Sequence, residues 1–452
     1  MKNYKKKMAA GVLAGFMMLA AGCGSIGNTP AATTTSGRDG TSAGDLESTE
    51  EVKAFSETDR ATQEKTKQIE KIIEKNFYFD VDPERREESY YDGIMAGLDD
   101  PYSVYYTPEE LSKLMEEDSG EYVGIGATVS KNMETNLIYV VKPLRGSPAE
   151  EVGVLPNDVF VKVDDTEITL DMELDEVVKM IRGVEGTTAH ITFYREGEPD
   201  YIEIDIPRRK VQNITVSYEM LQDRIGYIEV EQFIDNTPDQ FIEGVDKMIA
   251  EGAKALVIDL RNNPGGMLSA VITMADYLIQ DDLQAEGAEK PGVLLQTKNK
   301  NGDVIEEYNC KDGHSVLLPM AVLVNGNSAS ASEILTGCLK DYKLAQIVGN
   351  NTYGKGIVQQ IIPLTDGSAI KLTIAKYFTP SGTDIHKLGI APNTEIDLDE
   401  AMLRVVTIPH DKDNQLQKAI ELLGGTPIEV KQEAETTTAE VKTEEITEAT
   451  EE

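Results

Sequence analysis

Ser330 lies in the run Asn327-Ser328-Ala329-Ser330-Ala331-Ser332-Glu333, and Lys355, bracketed by Gly354 and Gly356, follows 25 residues later. A serine hydroxyl is a weak nucleophile until a base takes its proton, and a lysine amine is such a base once it is held uncharged. The residues after the lysine, Ile357 to Ile362, form a strand pattern too apolar for a solvated edge. An amine at the mouth of such a strand is withdrawn from water, which favours its neutral form. The pair therefore reads first as a Ser-Lys dyad for acyl transfer. Gln359 is four residues beyond Lys355, so an extended strand would aim both side chains at one face, where the amide can hold the lysine or the serine.

Each residue also has a plainer reading. Ser330-Ala331-Ser332-Glu333 satisfies the S-x-x-E helix cap, with Glu333 reaching back. A lysine in a glycine turn is commonly a surface residue, and Gln359 alone is an ordinary polar residue of a half-buried strand. Gly349 to Lys355 matches most of a phosphate-binding loop, but Gly356 stands where that loop needs Ser or Thr, and a strand follows where it needs a helix. Acyl transfer also needs donors for an oxyanion. The N–H of Ala331 at a helix start is one, and the turn Asn262-Asn263-Pro264-Gly265-Gly266 after a buried strand can supply the other, unless it is a plain strand-to-helix turn.

The elements that must position these groups alternate. Strand patterns at 225–230, 255–260 and 318–324 and helical patterns at 237–251 and 267–279 predict an α/β core with a largely parallel sheet. Ser330 then falls at a strand's carboxyl end and a helix's amino end, where open α/β sheets put their chemistry. Upstream, helical spacing covers 62–77 and 84–98, and Thr107-Pro108 opens a further helix. Residues 121–208 change to short strands around one or two helices, with a capped helix at Ser147-Pro148-Ala149-Glu150 and another at 174–181. Gly124-Ile125-Gly126 before a strand is the kind of loop whose N–H groups cradle a peptide's terminal carboxylate.

Composition limits the partners. The chain of 452 residues carries 43 basic and 80 acidic side chains, a net charge of −37, and no segment of its mature part gathers a basic stripe, which argues against nucleic acid. Metal-ligand spacing is absent, and His190, His314, His386 and His410 are scattered singly, so neither a metal centre nor a His-based triad is expected, and no cofactor. Cys338 reads as a buried free thiol, with a disulfide to Cys310 the lesser reading. Lys2, Lys5, Lys6 and Lys7 precede an apolar stretch from Met8 to Ala21 and then Gly22-Cys23, a signal peptide with a cysteine placed for lipidation. An extracytoplasmic protein, lipid-anchored to a bacterial membrane, is expected. A Thr/Ser/Gly/Ala-rich tether over 24–56 and an acidic tail over 426–452 flank the folded part.

Taken in order, Gly97-Leu98-Asp99-Asp100-Pro101-Tyr102-Ser103, Gly124-Ile125-Gly126, Gly146-Ser147-Pro148-Ala149, Asp259 to Gly266, Ser328 to Glu333, Gly354-Lys355-Gly356 with Gln359, and Thr379-Pro380-Ser381-Gly382 resemble the C-terminal processing peptidases, the tail-specific serine protease family. The resemblance covers about residues 60–425. It implies a crotonase/ClpP-like α/β protease core over 209–425, a PDZ domain inserted over 121–208 and an N-terminal helical region over 57–120. It assigns Ser330 as nucleophile, Lys355 as base, Gln359 as support, and the amides of Gly266 and Ala331 as oxyanion donors. Asn327 stands where the family often has glycine. The activity implied is an endopeptidase that cuts proteins near apolar C-terminal tails held by the PDZ domain, which also gates it. A homodimer is allowed, and a catalytically silent PDZ scaffold at the membrane is the alternative.

Overall fold

The computed structural model describes residues 53–428, apart from 134, 145, 404, 406 and 407, with backbone alone for 53–60. The signal segment, Cys23, nearly all of the tether and the acidic tail lie outside the described residues. Among those described, no helix is long and apolar enough to cross a membrane.

Helices Lys53–Asn76 and Pro83–Ala96 open the described chain, the second capped by Asp82, whose carboxylate accepts the Glu84 N–H at 3.0 Å. Strand β1 (Val104–Tyr106) precedes the helix Pro108–Ser119, which starts at Thr107-Pro108 as expected and adds a reciprocal cap between Thr107 and Glu110. The chain then leaves for a separate module. Its strands are β2 (Glu121–Gly124), β3 (Ala127–Lys131), β4 (Ile138–Pro143), β5 (Val159–Val163), β6 (Thr166–Glu167), β7 (Thr188–Tyr194), β8 (Ile202–Pro207) and β9 (Arg209–Gln212). An antiparallel sheet runs β3-β4-β5-β7-β8, and β3 is one of its edges. Ala127 and Val129 of β3 share a core with Val177, Val178 and Ile181 of the helix Leu174–Ile181. The module is entered and left through β2 and β9, which pair antiparallel from Glu121↔Gln212 to Gly124↔Arg209.

The core follows the expected alternation. Strands β10 (Val216–Met220), β11 (Ile225–Val230) and β12 (Ala255–Asp259) are succeeded by β13 (Val293–Lys298), β14 (Val304–Asn309), β15 (Met320–Val324), β16 (Ala345–Gly349), β17 (Ile357–Pro363), β18 (Ala369–Phe378) and β19 (Thr394–Glu395). One sheet runs β10-β11-β12-β15-β16-β19 and is parallel from β11 onward. Every residue of β12 and β15 is buried, as parallel strands covered on both faces must be. Leu256 and Ile258 pack with the helices Thr237–Ala250, Leu268–Leu278 and Ala331–Asp341, while Val257 turns to the opposite face and meets Leu416, Ala419 and Ile420 of the helix Asn414–Leu422.

A second sheet was not anticipated. It runs antiparallel as β1-β18-β13-β14, with β17 added to β18. This corrects the reading of 357–362: β17 is an edge strand, and Ile361 is 38% exposed. Apolar residues on an edge of an antiparallel sheet give the same short run as a covered strand, so composition could not separate the two.

Candidate active site

Three serines follow β15, and the fold uses them differently. Ser328 is fully buried, with its hydroxyl donating to Leu260 O at 2.7 Å, and Ser332 is fully buried, donating to Asn263 O at 3.0 Å. Both hydroxyls clamp the serine loop onto the turn after β12. Ser330, between them, is half-buried and adopts φ 55°, ψ −114°, a left-handed conformation that a non-glycine residue holds only when its surroundings impose it. It directly precedes the helix Ala331–Asp341.

The turn after β12 is built to meet it. Gly265 has φ 98°, and a Cβ there would lie 2.6 Å from Ala329 O and 2.8 Å from Ser330 Cβ. Gly266 has φ 143°, and a Cβ there would lie 2.0 Å from Phe233 O. Only glycine fits either place. Asn263, fully buried, takes the Gly265 N–H on its side-chain oxygen and donates to Val230 O. Among the described residues, the Gly266 N–H has no such acceptor, and Ala331, first in its helix, has no intrahelical one. Gly265 packs on Ser330, so the Gly266 and Ala331 amides belong to the two loops that meet at the serine, where the oxyanion formed on an attacked carbonyl would need donors. Asn327 has its own work: its side chain donates to Asn262 Oδ1 at 3.0 Å, closing the two loops over each other.

Glu333 is the residue whose role local sequence understated. It is fully buried and accepts four hydrogen bonds: Thr352 Oγ1 at 2.6 Å and Gly354 N at 2.7 Å on one oxygen, Lys355 N at 2.8 Å and Ser330 N at 2.9 Å on the other. The capping reading is thus correct and incomplete, because the same carboxylate that caps the serine's helix also holds the lysine loop. Tyr377, at 1% exposure, adds a second tie, its hydroxyl lying 3.1 Å from Ser330 O and in contact with Lys355 O.

The glycines around Lys355 serve packing. A Cβ on Gly356 would lie 2.6 Å from His386 N, and one on Gly354 3.0 Å from Gly389 N, because the 386–389 loop lies against both. The Lys355 amine sits over the Tyr102 ring, 4.6 Å from its centre. Burial, and next the nearby charge of Lys371, push its pKa below the ordinary lysine value, against the opposing pull of Glu333 and Asp100. Among the described residues, no hydrogen bond joins Ser330 Oγ to Lys355 Nζ. Among the described residues, no hydrogen bond joins Gln359 to the amine either: its side-chain nitrogen lies 3.4 Å from Ile357 O and 3.5 Å from Thr373 Oγ1. The alternation argument fails because Lys355 lies in the irregular segment before β17.

In the separate module, Ile125 is buried beside the helix Leu174–Ile181, and Gly126 has φ 76°. A Cβ on Gly126 would lie 2.3 Å from Ser147 Cβ, so this glycine is required by the capped turn at Ser147. The carbonyls of Ile125 and Gly126 accept from Ala149 and Leu144, while their N–H groups meet no acceptor among the described residues. Cys338 is buried, its thiol directed at Leu294 O, 3.1 Å away.

Three family models match the chain. Residues 224–396 match Peptidase family S41, 139–195 a PDZ domain, and 21–110 the N-terminal domain of the activating protease CtpB. A probable CtpA-like serine protease of Staphylococcus haemolyticus is 36% identical over 361 residues, 80% of this chain and 70% of the relative. That of Staphylococcus aureus strain N315 is 36% identical over 348 residues, 77% of this chain and 67% of the relative. A solved photosystem II D1 C-terminal processing protease is 27% identical, covering 76% of this chain and 92% of its own, with a TM-score of 0.43. With its parallel core sheet, inserted PDZ domain and matched S41 region, the chain belongs to the C-terminal processing peptidases of family S41 and is a serine protease.

Proposed function

We propose that this protein is an extracytoplasmic, lipid-anchored endopeptidase that cuts proteins near apolar C-terminal tails, with Ser330 and Lys355 as its dyad. The observation that carries the reading is Glu333, one buried carboxylate receiving the N–H groups of both residues. Neutral Lys355 takes the Ser330 proton as the hydroxyl attacks the scissile carbonyl, then returns it to the leaving amine; water, deprotonated in turn, releases the acyl group. The amides of Gly266 and Ala331 receive the oxyanion. In the PDZ domain, the unspent N–H groups of Ile125 and Gly126 suit a terminal carboxylate, and the β3 edge suits strand addition by the tail. The missing Oγ–Nζ hydrogen bond, and the Gln359 amide bonded to Ile357 O and Thr373 Oγ1 and not to the amine, fit a resting alignment that tail binding shifts.

The test is cleavage of a peptide ending in apolar residues by the purified chain, with Ser330→Ala and Lys355→Ala beside it. Loss in both variants is expected. Cleavage surviving either substitution refutes the dyad, and no cleavage by the parent favours the silent scaffold.

A further inference from the structure

The segment Asp99-Asp100-Pro101-Tyr102-Ser103 is remote in sequence from Ser330 and Lys355, yet it forms part of their surroundings. Asp100 organises the turn: one carboxylate oxygen accepts the Tyr102 N–H at 3.1 Å, and the other accepts the Ser103 hydroxyl at 2.6 Å. Ser103 Oγ in turn accepts the Thr373 N–H at 3.0 Å, and Val104 pairs with Lys371 across β1 and β18. The turn is thereby bolted to the second sheet in a fixed register. Its product is the placement of the Tyr102 ring, with the Lys355 amine 4.6 Å from the ring centre.

We propose that the Tyr102 ring is the cation platform of the active site: it holds the Lys355 amine in place and receives the ammonium formed when that amine takes the Ser330 proton. This rests on the dyad reading and assigns the N-terminal segment a part in the reaction. An ammonium over an aromatic face is attracted by the ring's negative face, and the attraction is stronger where water is excluded. A neutral amine gains little from the same ring. The interaction therefore grows as the proton arrives, which is the kind of binding that lowers a barrier. The ring stays neutral while it does so, because burial, and then the Tyr353 hydroxyl 3.4 Å away, hold the Tyr102 phenol well above its ordinary range.

Other groups around the amine set its starting point. Lys371, from β18, opposes its charge, and Glu333, from the Ala331–Asp341 helix, and Asp100 favour it. Lys371 itself rests on a tyrosine of β1, which continues that segment, bonded to Tyr106 Oη at 2.7 Å with its amine 5.2 Å from that ring's centre. One short segment so presents a ring to each of the two lysines.

The experiment uses the full chain in detergent and the same apolar-tailed peptide, following kcat and the pH dependence of kcat/KM. Tyr102→Phe keeps the ring and is expected to stay within about twofold of the parent. Tyr102→Leu keeps an apolar cover but removes the ring face: kcat falls about 10-fold, KM is unchanged, and the acid limb moves to lower pH because the ammonium has lost its support. Ring-fluorinated phenylalanines at this position, which keep the shape and so the fold, should lower kcat in order of fluorination. An unmoved limb and unchanged kcat in Tyr102→Leu, a flat fluorination series, or a Tyr102→Phe variant as damaged as the leucine one would each overturn the platform. Lys355→Ala run in parallel separates the two readings. If it keeps activity, the dyad itself is wrong; if it is inactive while Tyr102→Leu behaves as parent, only the platform is.

Discussion

Glu333→Gln is the substitution that weighs most heavily on the site, because it changes one oxygen and one charge while keeping the volume. The carboxylate receives four donors, three of them backbone N–H groups of Gly354, Lys355 and Ser330. An amide has a single acceptor oxygen. Its NH2 end is best tolerated beside Thr352, whose hydroxyl can turn to accept, so the oxygen keeps Ser330 and Lys355 while the Gly354 N–H is orphaned. A hydrogen bond to a charged group contributes about 1.5–3 kcal/mol, so one lost outright and three weakened cost about 3 kcal/mol. For a core of this size that lowers Tm by roughly 6–12 °C.

The kinetic consequence has a separate sign. Loosening the Gly354-Lys355 loop displaces the amine, and a misplacement of about 1 Å costs about 100-fold, here in kcat, since the carboxylate lies behind the site and KM should hold. The negative charge of Glu333 favours the Lys355 ammonium. Its removal lowers the amine's pKa further, so the acid limb of kcat/KM moves to lower pH. Differential scanning calorimetry and a pH series with the apolar-tailed peptide measure both. A variant with lowered Tm but parental kcat and limb would refute the claim that Glu333 aligns the dyad and leave it a structural clasp.

Lys371→Met removes the like charge that depresses the Lys355 pKa, so its acid limb moves to higher pH, opposite to Glu333→Gln; an unmoved limb would show that the two amines do not sense each other. Lys355→Met abolishes cleavage and raises Tm at neutral pH. The folded pKa of Lys355 lies below the unfolded one, so its charged form costs stability until pH rises towards 10.5, and the gain should fade over that range in a pH series of melting curves. Replacing residues 125–208 by Asn-Gly closes β2 and β9 at the Gly124↔Arg209 pair as a two-residue hairpin. The product should fold and lose its preference for apolar tails; cleavage with tail preference intact would remove the PDZ domain from recognition.

The sequence reading reached the parallel sheet because buried parallel strands leave unbroken apolar runs, such as those of β12 and β15, with helical patterns between them. It reached Ser330 for a related reason, since a strand, a small-residue loop and a capped helix occur in one stretch. Glu333 was visible only as a cap. Its three other donors come from residues 352 to 355, brought to it by tertiary packing that no local pattern encodes. The expectation that Gln359 shares a face with Lys355 used a periodicity that applies inside strands, while Lys355 lies outside one. The second sheet escaped notice because β1 is three residues long and pairs with a strand more than 260 positions away, at Val104↔Lys371. Tyr102 stood in a motif with no role attached, because a ring beside an amine is a fact of assembly.

The two strands that carry the chain into and out of the PDZ domain leave the catalytic core side by side, and paired residues across such a ladder are about 5 Å apart. A domain attached by such adjacent ends is a cassette. On the proposed reading, its exchange would alter which tails are held without moving Ser330 or Lys355, and its removal would leave β2 and β9 to close as a hairpin. An exchange therefore needs only two junctions, one in β2 and one in β9, and an engineer can make it by preserving four residues of register on each strand.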